Sequence, residues 1–517
     1  MMEYYLSGAA LRAAEVLIDS AIWIAFGCFI AAIARCMLGK EKIQSLFGND
    51  GRFGLLIGWG IGMLLPVCSL GVIPVVRELY RAKVKPGTIV AFGLTAPLFN
   101  PLSVLYGLSL SDPMTIVIFS AAAMLVVTVL GAVWGRLSYQ DTPSPSATES
   151  DQSTSGVATS GVRRSVAVLH AASTEIVSWS VVFIAIGILA STAISVAVAH
   201  GSLQGETEPD KIFAPVFMAF YVTPVYTTPL LAMSQIGGMF QHGNSVGAAF
   251  SLLILGAGVN IGLLCWFGSA FGVRKAISFF TLLLSLTIGL AYAMDKPLYP
   301  KGVSPSGHTH AFDVYTHPFQ SGQNGLMDDA VNKISERLSG GGRSGVQLLG
   351  MLAVIGIGFR ILESRFDLQK WLLTHRESSS PVMEVELPTW VIGLVACVGL
   401  VMASAAGTYL YYPDSETVLG ELTAINTNCV LAARTKDWEG VNKWVMYCDD
   451  LSRRLEVGVL LRTGSISEFK RAKSHVYRAK LDELRDDIEA GQLSRVKEQS
   501  MELQNAYLQL SRAFRNK

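Results

Sequence analysis

Long apolar runs set the frame of this chain. Stretches of the length a bilayer core requires, about 20 residues, recur near 14–37, 88–110, 113–135, 174–199, 248–270, 275–294, 345–362 and 388–412. Each predicts a membrane-spanning helix, because a backbone in hydrocarbon must satisfy its own hydrogen bonds. Two further apolar runs, 53–76 and 212–236, are interrupted by proline and glycine. In the first the interruption reads Pro66-Val-Cys-Ser-Leu-Gly-Val-Ile-Pro74. Proline removes a backbone donor and clashes with the preceding turn, so both runs predict broken or re-entrant segments whose open backbone faces an interior site. The run that starts near Leu11 lacks a small-residue cleavage site after a short core and reads as a retained span.

Polar stretches divide these runs. Residues 138–165 are rich in Ser, Thr, Pro and Gly and predict a flexible linker. Residues 296–343 form a second long connection, a histidine-containing loop. From 413 to 517 the apolar runs give way to a charged, helix-patterned tail, with helices expected at 415–435, 439–462, 467–489 and 492–515. Short connections between them predict an up-down bundle. The turn between the first two sets Cys429 and Cys448 opposite one another, and a disulfide is expected there if the tail lies outside the cytosol.

The chain also resembles itself, at a constant offset of 160. Glu15 matches Glu175, Gly27 matches Gly187, Gly87 matches Gly247, Asn100 matches Asn260, and Cys68 stands opposite Thr228. A duplication at this period makes residues 1–137 one transmembrane repeat and 166–295 a second, with two added helices within 344–412. Lysine and arginine favour the cytoplasmic side of short loops. If the two interrupted runs are re-entrant, each half crosses three times and the repeats are inverted. The cytoplasmic side then receives Arg35, Lys40, Lys42 and Arg52, then Arg77, Arg81, Lys83 and Lys85, then Arg136, Arg163 and Arg164. If both runs cross fully, basic loops fall on both sides. The re-entrant arrangement satisfies the charge rule better, and it leaves the tail extracytoplasmic.

Composition agrees with this frame: 51% of the 517 residues are hydrophobic and 16% charged, with a formal net charge of +1. Nothing in that balance provides the basic surplus a nucleic-acid binder needs. The chain has no H-E-x-x-H, no phosphate-binding Walker loop and no nucleophile elbow, which argues against an ATP-driven pump, an intramembrane hydrolase or any other enzyme.

The stretch from Pro66 to Pro74, followed by an apolar segment ending in Pro97-Leu-Phe-Asn-Pro101, resembles the ArsP-type permease family, predicted permeases that include exporters of trivalent organoarsenicals. The resemblance covers roughly residues 10–295. It implies a polytopic helical permease with a central solute site. In the arsenical exporters a Cys-Ser-Cys-Gly arrangement is expected, whereas this chain has Cys68 and then Leu70 where the second thiol would stand. One thiol is a weaker soft-metalloid site than two or three.

Candidate solute contacts are Cys68, Ser69, Asn100, Thr228 and Asn260. An amide in a membrane segment offers a donor and an acceptor and rarely faces lipid; the bland alternative is an interhelical hydrogen bond, and for Cys68 a small buried hydrophobe. Pro66, Gly71, Pro74, Pro97 and Pro229 shape the breaks. Gln235 and Asn244 are further polar groups in the second half. Glu15 and Glu175 begin equivalent spans, where a carboxylate complements the helix dipole. Asp19 lies one turn deeper on the face of Glu15 and is a candidate proton carrier, though its counterpart is Trp179. No cofactor is called for, apart from a zinc or copper ion at His308, His310, Asp313 and His317, against which stands a merely solvated loop.

Taken together, the sequence predicts an all-α, multi-pass inner-membrane protein with an inverted internal repeat and an extracytoplasmic helical bundle. Its function is expected to be that of a permease moving a small solute, a metalloid or organometalloid among the candidates, by alternating access at a midplane site. The competing reading is a membrane-anchored sensor or assembly protein acting through its bundle on an extracytoplasmic protein partner.

Overall fold

The computed structural model describes residues 2–47, 53–65, 67–110, 113–138, 162–300, 310–320, 325–339, 342–363, short pieces between 398 and 406, then 408–489 and 492–515. Most of the predicted linker, most of the second added helix, Pro66 and His308 lie outside these residues, as does the His310 side chain, while residues 162–165, expected at the end of the linker, are already helical. The described residues are helical and carry no strand, so the all-α, multi-pass expectation holds.

The first half contains α1 (Met2–Ile33), α2 (Gly39–Leu46), α3 (Gly54–Leu64), α4 (Val72–Arg81), α5 (Pro86–Leu98), α6 (Pro101–Leu110) and α7 (Pro113–Leu137). The second contains α8 (Val162–Ile176), α9 (Trp179–Ala197), α10 (Ala214–Val222), α11 (Pro229–Gln241), α12 (Val246–Ser251), α13 (Ile261–Phe271) and α14 (Val273–Asp295). Starts match at an offset of 160 for α1 and α8, α3 and α10, α5 and α12, α6 and α13, and α7 and α14. The matching extends to close packing. A methyl group added at Gly87 would stand 2.4 Å from the Gly131 carbonyl oxygen, and one at Gly247, its counterpart, 2.7 Å from that of Ala291. Helices α15 (Leu326–Ser339) and α16 (Gly342–Glu363) follow.

The long helices α7, α9, α14 and α16 are apolar enough to cross a membrane, as is α1 with its continuation to Leu46. Their outward side chains are apolar, for example Val354 at 70% and Val117 at 55% exposure, as a lipid-facing surface requires.

Both interrupted runs are broken. Between α3 and α4 the chain leaves the helix at Leu65, whose φ of −90° and ψ of 117° are the extended values favoured before a proline. Between α10 and α11, Thr228 is extended (φ −83°, ψ 156°) before Pro229 at the helix start. One expectation needs correction. The runs 88–110 and 248–270 are not continuous spans but are themselves broken, at Phe99-Asn100 and at Gly258 to Asn260. In the second half the two arms bend by 57°. Pro97 and Pro101 flank the first of these breaks, and a π-helical turn, Leu252–Ala257, precedes the second; local π turns recur at functional sites. Each half therefore carries two discontinuities, not one.

Named contacts orient α1 against α8 and α9. Near its C-terminal end, Arg35 donates to Glu175 at 3.3 Å. At its N-terminal end, the His317 ring meets the Tyr4 carbonyl at 3.1 Å while the His317 amide donates to Val198 at 2.8 Å. The end of one unit thus meets the start of the other, and the two run antiparallel.

The chain divides into two compact units. The second comprises residues 101–116 and 402–517, and contains α17 (Ser415–Thr435), α18 (Trp438–Thr463), α19 (Glu468–Glu489) and α20 (Leu493–Arg515). Asp414 and Asp437 cap the first two helices through their carboxylates, and Gly464 ends α18 with a φ of 74°. Apolar residues at helical spacing, including Leu422, Leu455, Tyr477, Leu484, Leu503 and Leu510, fill the core. Buried in it are an Arg478–Glu456 pair at 3.1 Å and a hydrogen bond from Asn426 to Gln504 at 2.8 Å. Within this unit α6 packs on α18, with the rings of Tyr106 and Tyr412 stacked at 6.3 Å. The expected disulfide is not formed in this structure. Cys429 and Cys448 meet across the hairpin, where the turn places them, but as buried free thiols sharing a hydrogen bond. Such a pair needs an oxidant to become a bridge.

Candidate functional site

The breaks of the two halves converge. Cys68 is fully buried; its sulfur accepts from the Gly71 amide at 3.3 Å and lies against the phenol of Tyr226, in the break of the other half. Glycine at 71 is required by the approach of α1, because a methyl group there would sit 2.4 Å from the Trp23 carbonyl oxygen. Gly27 answers it on α1, where an added methyl would stand 1.9 Å from the Gly71 carbonyl oxygen. Ser191 on α9 accepts from the Tyr226 amide at 3.0 Å and so fixes the second break against that helix.

A small cavity of about 30 Å³ lies beside this junction, bordered by Arg12, Glu15, Asp19, Ser191, Tyr226 and Thr228. It has room for about two water molecules. Tyr226 is 5% exposed, and its hydroxyl finds no oxygen or nitrogen partner among the described residues, leaving the Cys68 sulfur as its polar neighbour. Thr228 spends its side-chain oxygen capping α11, accepting from Leu231 at 3.2 Å.

Tyr315, from the loop after α14, also borders the cavity. Its hydroxyl donates to the Gln235 side chain, and its carbonyl accepts from Tyr221 at 2.7 Å. Arg12, 7% exposed, donates to Glu15 at 2.7 Å and to the Thr316 carbonyl at 2.7 Å. On α15, Arg337 reaches Glu15 at 3.2 Å and Asp19 at 3.4 Å. Two guanidiniums thus face two carboxylates at this mouth.

A second charge network closes the other end of α1. Glu175 is 3% exposed and accepts from Ser180 at 2.6 Å, Arg77 at 3.0 Å, Arg35 at 3.3 Å and Arg81 at 3.4 Å. Glu78 accepts from Arg35 at 2.6 Å. Arg35 lies in a π-helical turn, Ala34–Leu38. Twenty residues of helix separate Glu15 from Arg35, about 30 Å at 1.5 Å per residue, which is the thickness of a hydrocarbon core.

The other expected site residues fall as follows. Asn260 is fully buried and caps α13 through its carbonyl, accepting from Leu263 at 2.9 Å, while its amide nitrogen has no partner among the described residues. It stands beside Gly187, and Leu70 packs on the same glycine. Asn100 is 4% exposed and lies in the matching break. Ser69 is fully buried, its hydroxyl without a partner among the described residues. Pro74 sits in the first turn of α4, Pro97 in the last turn of α5, and Pro229 begins α11. Asn244 donates to Thr207 at 3.1 Å and braces a loop.

The histidine cluster is a different matter. His317 stacks on Tyr4 at 3.5 Å, and its two ring nitrogens face the carbonyls of Phe319 and Tyr4 at 3.0 and 3.1 Å. The Asp313 carbonyl accepts from Arg12. In this geometry His317 is an anchor with no ring nitrogen open to a metal, and no set of three His, Cys, Asp or Glu among the described residues is arranged to hold one.

Sequence reasoning missed Arg12, Tyr226, Tyr315 and Arg337. Arg12 carried a signal, a cation three residues before Glu15 at the edge of an apolar run. Tyr315 and Arg337 carried none, since they lie 80 and 318 positions along the chain from Gln235 and Asp19, the residues they reach.

Comparison with known proteins agrees with the resemblance carried by the first break. Residues 7–295 match the ArsP_1 family, described as predicted permease, and the chain belongs to that family. It is 30% identical over 129 residues to UPF0718 protein YcgR of Bacillus subtilis (strain 168), covering 24% of this chain and 42% of the relative. It is 25% identical over 88 residues to a putative two-component membrane permease complex subunit of Streptococcus mutans, covering 17% of this chain and 29% of the relative. These matches span less than half the length of either relative. No solved structure matches.

Proposed function

We propose that this chain is a transporter, not an enzyme, and that it moves a small solute across the inner membrane by alternating access. The solute site lies where the two halves meet, at Cys68 and Ser69 of one break and Tyr226 and Thr228 of the other, with Asn100 and Asn260 at the adjoining discontinuities. One observation carries this reading: the Cys68 thiol and the Tyr226 phenol, from opposite halves, meet beside a small polar cavity. Broken helices that join at a repeat interface are how secondary transporters build a midplane site. The antiparallel course of α1 and α8–α9 supports inverted repeats, and the loop charges support a C-terminal bundle outside the cytoplasm.

Cys68 gives a metalloid or organometalloid solute a single soft contact. Asp19, Glu15 and Glu175 are the carboxylates through which a proton gradient would drive the cycle. The relative named as a subunit of a two-component permease complex supports a second polypeptide in the assembly, with the bundle as its docking element. Flux into or out of vesicles, measured for metalloid and anionic solutes with wild type, Cys68→Ser and Asn100→Ala, tests the reading. A solute whose flux needs the protein and falls in both variants is expected. Unchanged flux in both would overturn the central site, and a protein-dependent phenotype that survives loss of flux would favour the sensor or assembly role.

A further inference from the structure

The mouth beside Glu15 and Asp19 is closed by a charge that comes from outside the family region. The family match ends at residue 295, whereas Arg337 is supplied by α15 and Tyr315 by the preceding loop. Arg337 bridges Glu15 at 3.2 Å and Asp19 at 3.4 Å. Arg12 is held apart from α15, by Glu15 of its own helix and by the carbonyls of Asp313 and Thr316 in the preceding loop. With Arg337 present the mouth holds two cations and two carboxylates; without it, one positive charge is missing. Unpaired carboxylates in a partly buried site are costly and draw a replacement cation.

The Tyr226 hydroxyl is a second, independent sign of a ligand position. Tyr226 is 5% exposed and lines the same cavity, and beyond the Cys68 sulfur its hydroxyl has no oxygen or nitrogen partner among the described residues. A bound cation carrying water or N–H groups would give it one.

We propose that Glu15 and Asp19, with the Tyr226 hydroxyl, form a binding site for a small cation, and that the Arg337 guanidinium occupies it as a tethered substitute in the closed state. Release of α15 exposes the site, and a free cation then takes the place of the side chain. The loop before α15 stays with α1 and α11, since the Tyr315 hydroxyl holds Gln235 of α11 and the Asp313 and Thr316 carbonyls hold Arg12. At Glu15 and Asp19 this cation takes the coupling role in place of a proton, an assignment of role that rests on the permease reading; the site itself stands on the geometry.

The test uses the full chain in lipid nanodiscs and guanidinium as the probe, because it reproduces the group it replaces. Two quantities are read: alkylation of Cys68, followed by peptide mass spectrometry, and the thermal midpoint. In Arg337→Ala, Cys68 alkylation is expected to rise about tenfold. Millimolar guanidinium should reverse that rise and raise the midpoint, while urea at the same concentration does neither. Arg337→Lys should behave as wild type, and adding Glu15→Gln and Asp19→Asn to Arg337→Ala should abolish the guanidinium effect. Sodium acting as well as guanidinium assigns the site to alkali cations, and guanidinium acting alone to organic ones. A midpoint and an alkylation rate in Arg337→Ala that ignore both cations overturn the site. A midpoint that responds while Cys68 stays unlabelled in every variant keeps the cation site and instead removes Cys68 from the solute path.

Discussion

Glu15 and Glu175 hold matching positions in the two halves, and arginines pair with them at opposite ends of α1: Arg12 and Arg337 with the first, Arg35, Arg77 and Arg81 with the second. The relation makes physical sense of two acidic residues that local sequence explains only as helix-start charges. Glu175 draws guanidiniums from the end of α1 and from α4 and so ties three segments together, whereas Glu15 pairs with Arg12 of its own helix and joins α1 to α15 through Arg337. Breaking one network while the other holds is the minimal event an alternating-access cycle needs.

The two networks should differ in strength. Glu175 is 3% exposed and accepts five side-chain hydrogen bonds, whereas Glu15 is partly accessible, with 15% of its side chain exposed. Glu175→Ala is expected to cost about 3–5 kcal/mol, because it removes the carboxylate paired with the buried Arg77, and Glu15→Ala appreciably less. Thermal midpoints of the two variants in nanodiscs check this; losses of equal size would refute the ranking.

Glycine should be irreplaceable where helices cross at backbone distance. An added methyl meets backbone oxygen at 1.9 Å at Gly27 and at 2.0 Å at Gly262, while Gly289 faces open space. Gly27→Ala and Gly262→Ala are therefore expected to cost about 2 kcal/mol or more, and Gly289→Ala to leave the midpoint unchanged. A Gly27→Ala protein as stable as wild type would mean that α1 and the first break are not packed as described.

Acid should weaken the C-terminal bundle through His475. Burial, then the neighbouring Arg478, Arg471 and Arg453, lowers this imidazole from 6.5 to about 4. The unfolded chain takes up a proton near the higher value and the folded bundle only near the lower one. Stability present above pH 6.5 is therefore lost as pH falls toward 4. The loss should approach about 2 kcal/mol, allowing for the partial exposure of the ring. Hydrogen exchange in peptides from α19, corrected for the intrinsic pH dependence, should show the decline in wild type and a flatter profile in His475→Gln.

Oxidation should join Cys429 to Cys448. Both thiols are buried and share a hydrogen bond, so alkylation of the native protein should leave them unmodified, and a diffusible disulfide or diazene oxidant should link them within one chain. A bridge closing so short a loop stabilises by about 3 kcal/mol, which predicts a higher midpoint for the oxidised bundle. Prompt alkylation of both thiols in the native protein would contradict their placement.

Much of the fold was legible in the chain because it is governed by short-range rules. Helix positions follow from the apolar runs and from caps such as Asp414 and Gly464, and the four bundle helices begin and end within a residue or two of the pattern that predicts them. The 160-residue offset was legible for the same reason, since it is a property of residue order. Pro66 to Pro74 and Pro229 marked two breaks correctly. Pro97, Pro101 and Gly258 also marked the other two, but the surrounding apolar residues continue the pattern of a span, and apolar length alone cannot distinguish a straight helix from two bent arms.

What tertiary structure decided is which side chains complete the site. Residue order gives Cys68 and Thr228 as counterparts, yet the neighbour of Cys68 is Tyr226, because residue order does not fix which positions the packing brings together. Arg337 reaches Asp19 across 318 positions of chain. No spacing encodes a contact of that kind: it depends on where two independently formed helices pack, and the charges are placed only once that packing is made.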